Sequence, residues 1–446
     1  MQTSPLKLGL VALFSLAAAG CSWSRFDDIT GNSPIVLLEK PGSMKHGFGV
    51  SVGTLTRDGQ TSVLVGGAVG ASNAALYDLG DGETPGTTPI DAGYCSDTST
   101  CFLSSSFGAF PNATANGVRP RCYAVGTGSL GDTGIIVRCV DGTEYPLAVP
   151  SAAETLLAFA LQNQKPYDYP MATDRSDDPL LLVSLPFNHT AWFYPPSSST
   201  FSALATPKGL AIDDATFGSS LTVLSAGATR VLALGVPGKS EVLLWKTAGG
   251  AEASFIGCLG GISGLGRALA AGNVNQDDIG DLVVSDDVNV NVIDGQALAA
   301  LPETDSSECS FASLPDGALL GSFGCGSTSS TSNCEGSAFG AAVAVGDLDG
   351  DGDGEVVVGA PQMTVRGKSG AGAVLVYDVE TPSDASFAEV KFLSSAESDD
   401  NLGAALVTPH IDGRDLIVAG APGGGKAALF YCSSLLPHAA AGSRCP

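Results

Sequence analysis

Residues 338–361 read AFGAAVAVGDLDGDGDGEVVVGAP and hold Asp347, Asp349, Asp351, Asp353 and Glu355 at alternate positions of one short loop. Carboxylate oxygens at this density suit a hard cation, and Ca²⁺ fits best because it takes about six to eight oxygen ligands in flexible geometry. Gly352 permits the sharp turn, and Glu355 closes the loop from the start of the next apolar run. An EF-hand opens in the same way but needs a bidentate carboxylate at its twelfth position and a helix on each side. Here the twelfth residue is Val358. A second stretch, GLGRALAAGNVNQDDIGDLVVS (264–285), sets Asn273, Asn275, Asp277 and Asp281 at loop positions one, three, five and nine, with Val284 twelfth. The chain thus offers two oxygen-ligand loops, and neither is an EF-hand.

The flanks AAVAVG and EVVVGAP are short, rich in β-branched residues and bounded by glycine, so each loop must be carried by a β-hairpin. The same frame recurs with its acidic residues worn away. GFGVSVGTLTRDGQTSVLVGGA (47–68) puts Thr54, Thr56, Asp58 and Ser62 where the ligands would be. TFGSSLTVLSAGATRVLALGVP (216–237) has no acidic loop, and NLGAALVTPHIDGRDLIVAGAP (401–422) has a shortened one with Asp412 and Asp415. These three are expected to be metal-free. A single hairpin cannot bury its own faces, so recurrence implies an array.

Phe339-Gly340, the acidic loop and Gly359-Ala360-Pro361 together resemble the FG-GAP repeat of integrin alpha-type β-propellers. The one departure is Glu355 at the ninth loop position, where that family usually has aspartate. The resemblance implies an all-β propeller with structural calcium. It does not extend to an integrin ligand, because the chain has no DxSxS motif. The glycine of each Phe-Gly or Leu-Gly pair falls at 49, 218, 266, 340 and 403. Clear repeats lie near 45–79, 215–246, 264–294, 336–379 and 400–432, and strand-like runs without the signature suggest degenerate repeats near 115–149 and 154–195. The interval from Gly49 to Gly403 then holds six steps averaging 59 residues. We therefore expect seven blades of four antiparallel strands; six is the alternative and would make the spacing across the degenerate region less even. IVLLEKPGSMKHGFG (35–49) echoes AEVKFLSSAESDDNLG (388–403), so the first strand has no blade of its own and should complete the last blade, closing the ring.

The N-terminus, MQTSPLKLGLVALFSLAAAGCS, has a lysine, an apolar stretch too short to span a membrane well, and small residues before Cys21. Ala18-Ala19-Gly20-Cys21 resembles a bacterial lipobox. It implies a signal peptide over 1–20, lipidation of Cys21, a tether over 21–33 and a propeller over 34–446. Ser22, by the sorting rule of Gram-negative lipoproteins, implies the outer membrane, with a periplasmic or surface-exposed body held to the membrane by its lipid anchor alone. Formal charge is −25, a surface that repels nucleic acid and anionic lipid. Of eleven cysteines, ten remain beyond Cys21, an even number suited to disulfides in an oxidising compartment. Proximity suggests Cys95–Cys101, Cys122–Cys139 across a hairpin, Cys325–Cys334 and Cys432–Cys445, leaving Cys258 and Cys309.

Catalytic signals are poor. GTGSLG (126–131) is followed by another strand instead of the helix a dinucleotide site needs. Gly238-Lys239-Ser240 and Gly367-Lys368-Ser369 lack the earlier P-loop glycine, and there is no GxSxG. His46, His189, His410 and His438 are scattered and read as loop or rim residues. Trp192, Phe193 and Tyr194 could stack on a sugar or peptide, although packing between blades is the stronger reading. We expect a monomeric, non-enzymatic binding or adhesion module for a protein or glycan ligand, with no nucleic-acid partner. An envelope assembly scaffold is the alternative. A propeller-based hydrolase or lyase is the second, and it would require polar groups converging on the central channel.

Overall fold

Short apolar runs separated by glycine-rich turns favour short strands that pair with their neighbours in sequence. The computed structural model describes residues 35–39, 48–57 and 60–66, the further strands up to 173, and most of residues 180–430. Its strands form seven four-stranded antiparallel sheets, six of them simple meanders. Blade one comprises Ser51–Arg57, Gln60–Gly66, Ala74–Leu79 and Gly86–Ile90. Blade two comprises Phe102–Ala109, Cys122–Ser129, Asp132–Cys139 and Glu144–Leu147, and blade three Met171–Thr173, Leu181–Leu185, Thr190–Tyr194 and Ser202–Ala203. Blade four runs through Ser220–Ala226, Thr229–Val236, Glu241–Thr247 and Ser254–Gly260. Blade five has Leu269–Gly272, Asp281–Ser285, Asn289–Ile293 and Leu319–Gly324, and blade six Ala342–Gly346, Glu355–Ala360, Ala373–Thr381 and Ser386–Ser394.

Blade seven is composite. Leu406–Val407, Ile417–Ala421 and Lys426–Phe430 are joined on the outside by the N-terminal strand Ile35–Glu39, with Ile35 opposite Phe430 and Glu39 opposite Lys426. The first strand of each blade contacts the first strand of the next, and the series closes between Ser51–Arg57 and Leu406–Val407. This is the seven-bladed β-propeller closed by its N-terminal strand that the repeat spacing predicts.

The core lies between blades, and strand periodicity shows why. Alternate side chains point to opposite faces of a sheet. Leu282 and Val284 accordingly pack toward blade four while Val283 packs toward blade six. Likewise Val356 and Val358 face blade five, and Val357 faces blade seven. Middle strands are therefore covered on both sides, which explains their continuous apolar reading: every residue of Glu355–Ala360 is buried. Phe48, Phe217, Leu265, Phe339 and Leu402, the first members of the signature pairs, are all buried at the boundary between the preceding blade and their own.

The glycine after each of them has a shared task. Its N–H donates to the end of its own second strand: Gly49 to Gly66 O at 2.9 Å, Gly218 to Gly235 O at 2.8 Å, Gly266 to Ser285 O at 3.1 Å, Gly340 to Gly359 O at 3.0 Å and Gly403 to Gly420 O at 2.9 Å. Its carbonyl meets the neighbouring blade, where glycine leaves room. A Cβ on Gly420 would collide with the Gly49 carbonyl oxygen, and one on Gly359 with that of Gly403. Where serine replaces the second-strand glycine, its hydroxyl bonds across the boundary instead. Ser184 Oγ donates to Gly218 O at 2.6 Å and Ser285 Oγ to Gly340 O at 2.8 Å.

Several expectations are modified here. Trp192, Phe193 and Tyr194 are buried in the third strand of blade three, so they offer no stacking surface. Blade two begins at Phe102, ahead of the 115 boundary, and the described strands of blade three begin at Met171. The run TLLAFAL (155–161) lies outside the described residues, as do Cys21, Cys95, Cys101, Cys334, Cys432 and Cys445. Cys122 is in register opposite Cys139. Cys258 and Cys309 form a disulfide, and Cys325 is also disulfide-bonded. Among the described residues no helix is long and apolar enough to cross a membrane.

Candidate metal centre

Both oxygen-ligand loops connect the first and second strands of their blades and follow one backbone path. Positions four and six take positive φ in each. In blade six they are Gly350 and Gly352, at 83° and 100°, whereas in blade five Gln276 and Asp278 both sit at 62°. Non-glycine residues in that region cost on the order of 1 kcal/mol each, so the blade-five loop holds the same turn against local strain.

The ninth position closes both loops in the same manner. Glu355 Oε2 accepts the Leu348 N–H at 2.7 Å, and Asp281 Oδ2 accepts the Val274 N–H at 2.8 Å, each from loop position two. Other predicted ligands also bond within their loops. Asp347 Oδ1 accepts the Gly350 N–H at 2.6 Å, Asn273 and Asn275 Oδ1 both receive the Asp277 N–H at 3.2 Å, and Asp277 Oδ1 receives Ile279 N–H at 2.8 Å. Asp349 lies outside the described residues.

Asp351, Asp353 and Glu355 each bring one carboxylate oxygen within 4.8 Å of the others. Asp347 is not part of that group. Asp353 is 7% exposed, and its Oδ1 is buried without a hydrogen-bond partner. Burial, then the adjacent Asp351, then Asp378 push the Asp353 carboxyl well up. Two facing carboxylates can share a proton or a cation but cannot both stay bare at low dielectric. Calcium fits this chemistry, because an orphaned buried oxygen is joined by two further hard-oxygen donors.

The blade-five loop differs. Asp281 is wholly buried, and its second oxygen accepts the Gly295 N–H at 2.9 Å at the start of a short helix, Gly295–Ala300. Its donors are of the right type, yet no oxygen is left orphaned there. Burial outweighs those two bonds and raises the Asp281 carboxyl to about 7. The folded state therefore binds a proton that the unfolded state releases near pH 4. Stability from this group is full at lower pH and is lost as pH rises toward about 7. The chelator-treated protein is expected to melt higher at pH 6 than at pH 8. A flat or rising profile in scanning fluorimetry would show that Asp281 is ionised throughout.

Two participants come from the corresponding loops of neighbouring repeats, and no local sequence signal shows their role at this loop. Gln276 Nε2 donates to Asp353 Oδ2 at 3.0 Å. On the other side, Asp415 of blade seven receives the Asp347 N–H on Oδ2 at 3.1 Å and donates its own N–H to Asp347 O at 2.7 Å, while His410 Nδ1 contacts Asp415 Oδ1 at 2.9 Å. Asp415 thus braces the blade-six loop.

Seven such blades, two of them with hairpin loops of this kind, define a β-propeller built from repeats. Residues 339–377 match the family described as FG-GAP repeat, which covers blade six from Phe339 into its third strand. A search of curated proteins returned no match. Among solved structures, the chain is similar to virginiamycin B lyase from Staphylococcus aureus (8% identity, 89% of this chain, 99% of that one, TM-score 0.48). It is similar also to the β-propeller domain of Cps50 (Swd1) from Myceliophteria thermophila (12%, 88% and 99%, 0.47) and to YCF48 from Cyanidioschyzon merolae (8%, 90% and 99%, 0.45). At these identities and scores the likenesses carry no functional inference.

Proposed function

We propose that this chain is a calcium-binding β-propeller that serves as a binding or adhesion module of the bacterial cell envelope, tethered through Cys21. The observation that carries calcium is the group of Asp351, Asp353 and Glu355 carboxylates, in which Asp353 also keeps one buried oxygen without a hydrogen-bond partner. Asp351, Asp353 and Glu355 would hold the ion, with Asp347 and Asp349 completing the loop. Asn273, Asn275, Asp277 and Asp281 would form a second, weaker site. When bound, calcium supplies charge that offsets the mutual repulsion of the converging carboxylates, and its role is structural.

A binding role over a catalytic one is supported by the innermost strands. From SVGTLTR in blade one to LV in blade seven, they contain no His, Cys, Asp, Glu or Lys, so the strands beside the axis supply no general base to activate their Ser and Thr hydroxyls. Contact with a protein or glycan ligand would then fall to the loops that the rigid blades present. For an affinity typical of extracellular modules, roughly 10⁻⁴ to 10⁻³ M, millimolar calcium stabilises by about 0.4 to 1.4 kcal/mol per site. Melting temperature should therefore rise with calcium, and an Asp351→Ala, Asp277→Ala double variant should lose most of that rise. A wild-type melt indifferent to chelator would refute the calcium reading.

A further inference from the structure

We propose that the blade-six cation site is shared across the blade boundary, with Gln276 of blade five acting as a positioning residue that aims Asp353 at the ion. The inference rests on the calcium reading above and adds to it: the ion clamps two blades together, beyond pinning one hairpin. Asp353 occupies the seventh loop position and is buried between the blades. Its two oxygens have separate partners to satisfy. Oδ2 accepts the Gln276 amide at 3.0 Å, Oδ1 is buried without a hydrogen-bond partner, and the carboxylate belongs to the group it forms with Asp351 and Glu355.

The surrounding contacts hold the loops together. Asn273 Nδ2 donates to Gly352 O at 3.3 Å, one residue before Asp353. Gly354 permits close approach on the other side, since a Cβ there would lie 2.7 Å from Asn273 O. Gln276 itself is kept at a φ of 62°, the conformation from which its side chain reaches blade six. A cation drawn to Oδ1 therefore pulls on a carboxylate whose other oxygen is tied to blade five. Filling the site stiffens the boundary as well as the loop.

Two variants of the full mature chain test this by calorimetric calcium titration and by melting with and without chelator. Gln276→Leu removes the amide donor and is expected to weaken calcium binding at the blade-six site about tenfold, the size of one hydrogen bond to a charged group. Gln276→Lys places an ammonium beside Asp353. It is expected to raise the melting temperature in chelator and to abolish most of the calcium increment, an outcome a merely structural glutamine would not produce. Hydrogen exchange in an Asp277→Ala background, which disables the blade-five loop's own ligands, should show calcium slowing exchange over 272–276 as well as 347–355. Variants that keep wild-type calcium affinity within a factor of two, or protection confined to 347–355, would overturn the shared site while leaving calcium binding intact. A wild-type chain that binds no calcium overturns both.

Discussion

A Gly420→Ala chain is expected to lose at least about 3 kcal/mol of stability and to accumulate as insoluble material. Gly420 closes the second strand of blade seven, and the residue it faces is Gly49, on the other side of the ring's seam. An added methyl would overlap the Gly49 carbonyl oxygen, which is backbone and cannot rotate aside. Gly420 has no left-handed φ, so alanine there suffers no conformational penalty of its own and the effect isolates the clash. Relief would require blades seven and one to separate, which exposes the apolar cluster of Phe48, Val65, Val418 and Leu429. Gly250→Ala is the matched control, because a Cβ at that position meets nothing within 4 Å. It should change stability by no more than about 0.5 kcal/mol. Equal denaturation midpoints for the two variants would refute the close-approach account of the repeat signature.

That account also explains what the sequence discloses and what it hides. The Phe-Gly and Gly-Ala-Pro ends are legible because they mark a buried anchor and a backbone-to-backbone approach that tolerate few substitutes. Five blades carry a Phe-Gly or Leu-Gly pair and two of them the full Gly-Ala-Pro end, and the spacing of the pairs is enough to place the other two. Blade three lacks the signature for a physical reason visible at Ser184. There a hydroxyl bond to Gly218 O replaces the close glycine contact, and the first strand is only three residues long. The metal loops are legible by position, because alternate acidic residues on a hairpin are a local pattern. What surrounds them is not. Gln276 and Asp415 lie 77 and 68 residues from Asp353 and Asp347, and only the ring brings them there. The aromatic run at Trp192 is buried, as the packing reading of the sequence favours; the stacking alternative stays open only when an apolar third strand is seen without the blades that cover it.

Removing the Cys258–Cys309 disulfide, as a Cys258→Ala, Cys309→Ala double variant, is expected to destabilise the propeller by as much as about 4 kcal/mol, from the loop entropy of a 51-residue crosslink. The consequence exceeds entropy because of what the crosslink holds in place. Blade four ends on Ser254–Gly260, a strand paired on one side with Glu241–Thr247 and open on the other. The connection between the third and outer strands of blade five leaves its helix at Ala300 and returns along that open edge. Thr304 N–H donates to Phe255 O at 3.0 Å, Ser310 N–H to Cys258 O at 3.1 Å, and Lys246 Nζ to Leu301 O at 2.6 Å. An uncovered edge strand is a template for pairing with another chain, so the strap blocks association as well as ordering a loop. Without the crosslink, these few bonds and the packing of Leu301, Phe311 and Leu314 against the core between blades four and five must keep the strap in place. The double variant should therefore melt several degrees lower and scatter more light on heating at fixed concentration, with the remaining disulfides left oxidised. A melt and a scattering curve that match the wild type would mean that the strap holds its edge without the crosslink.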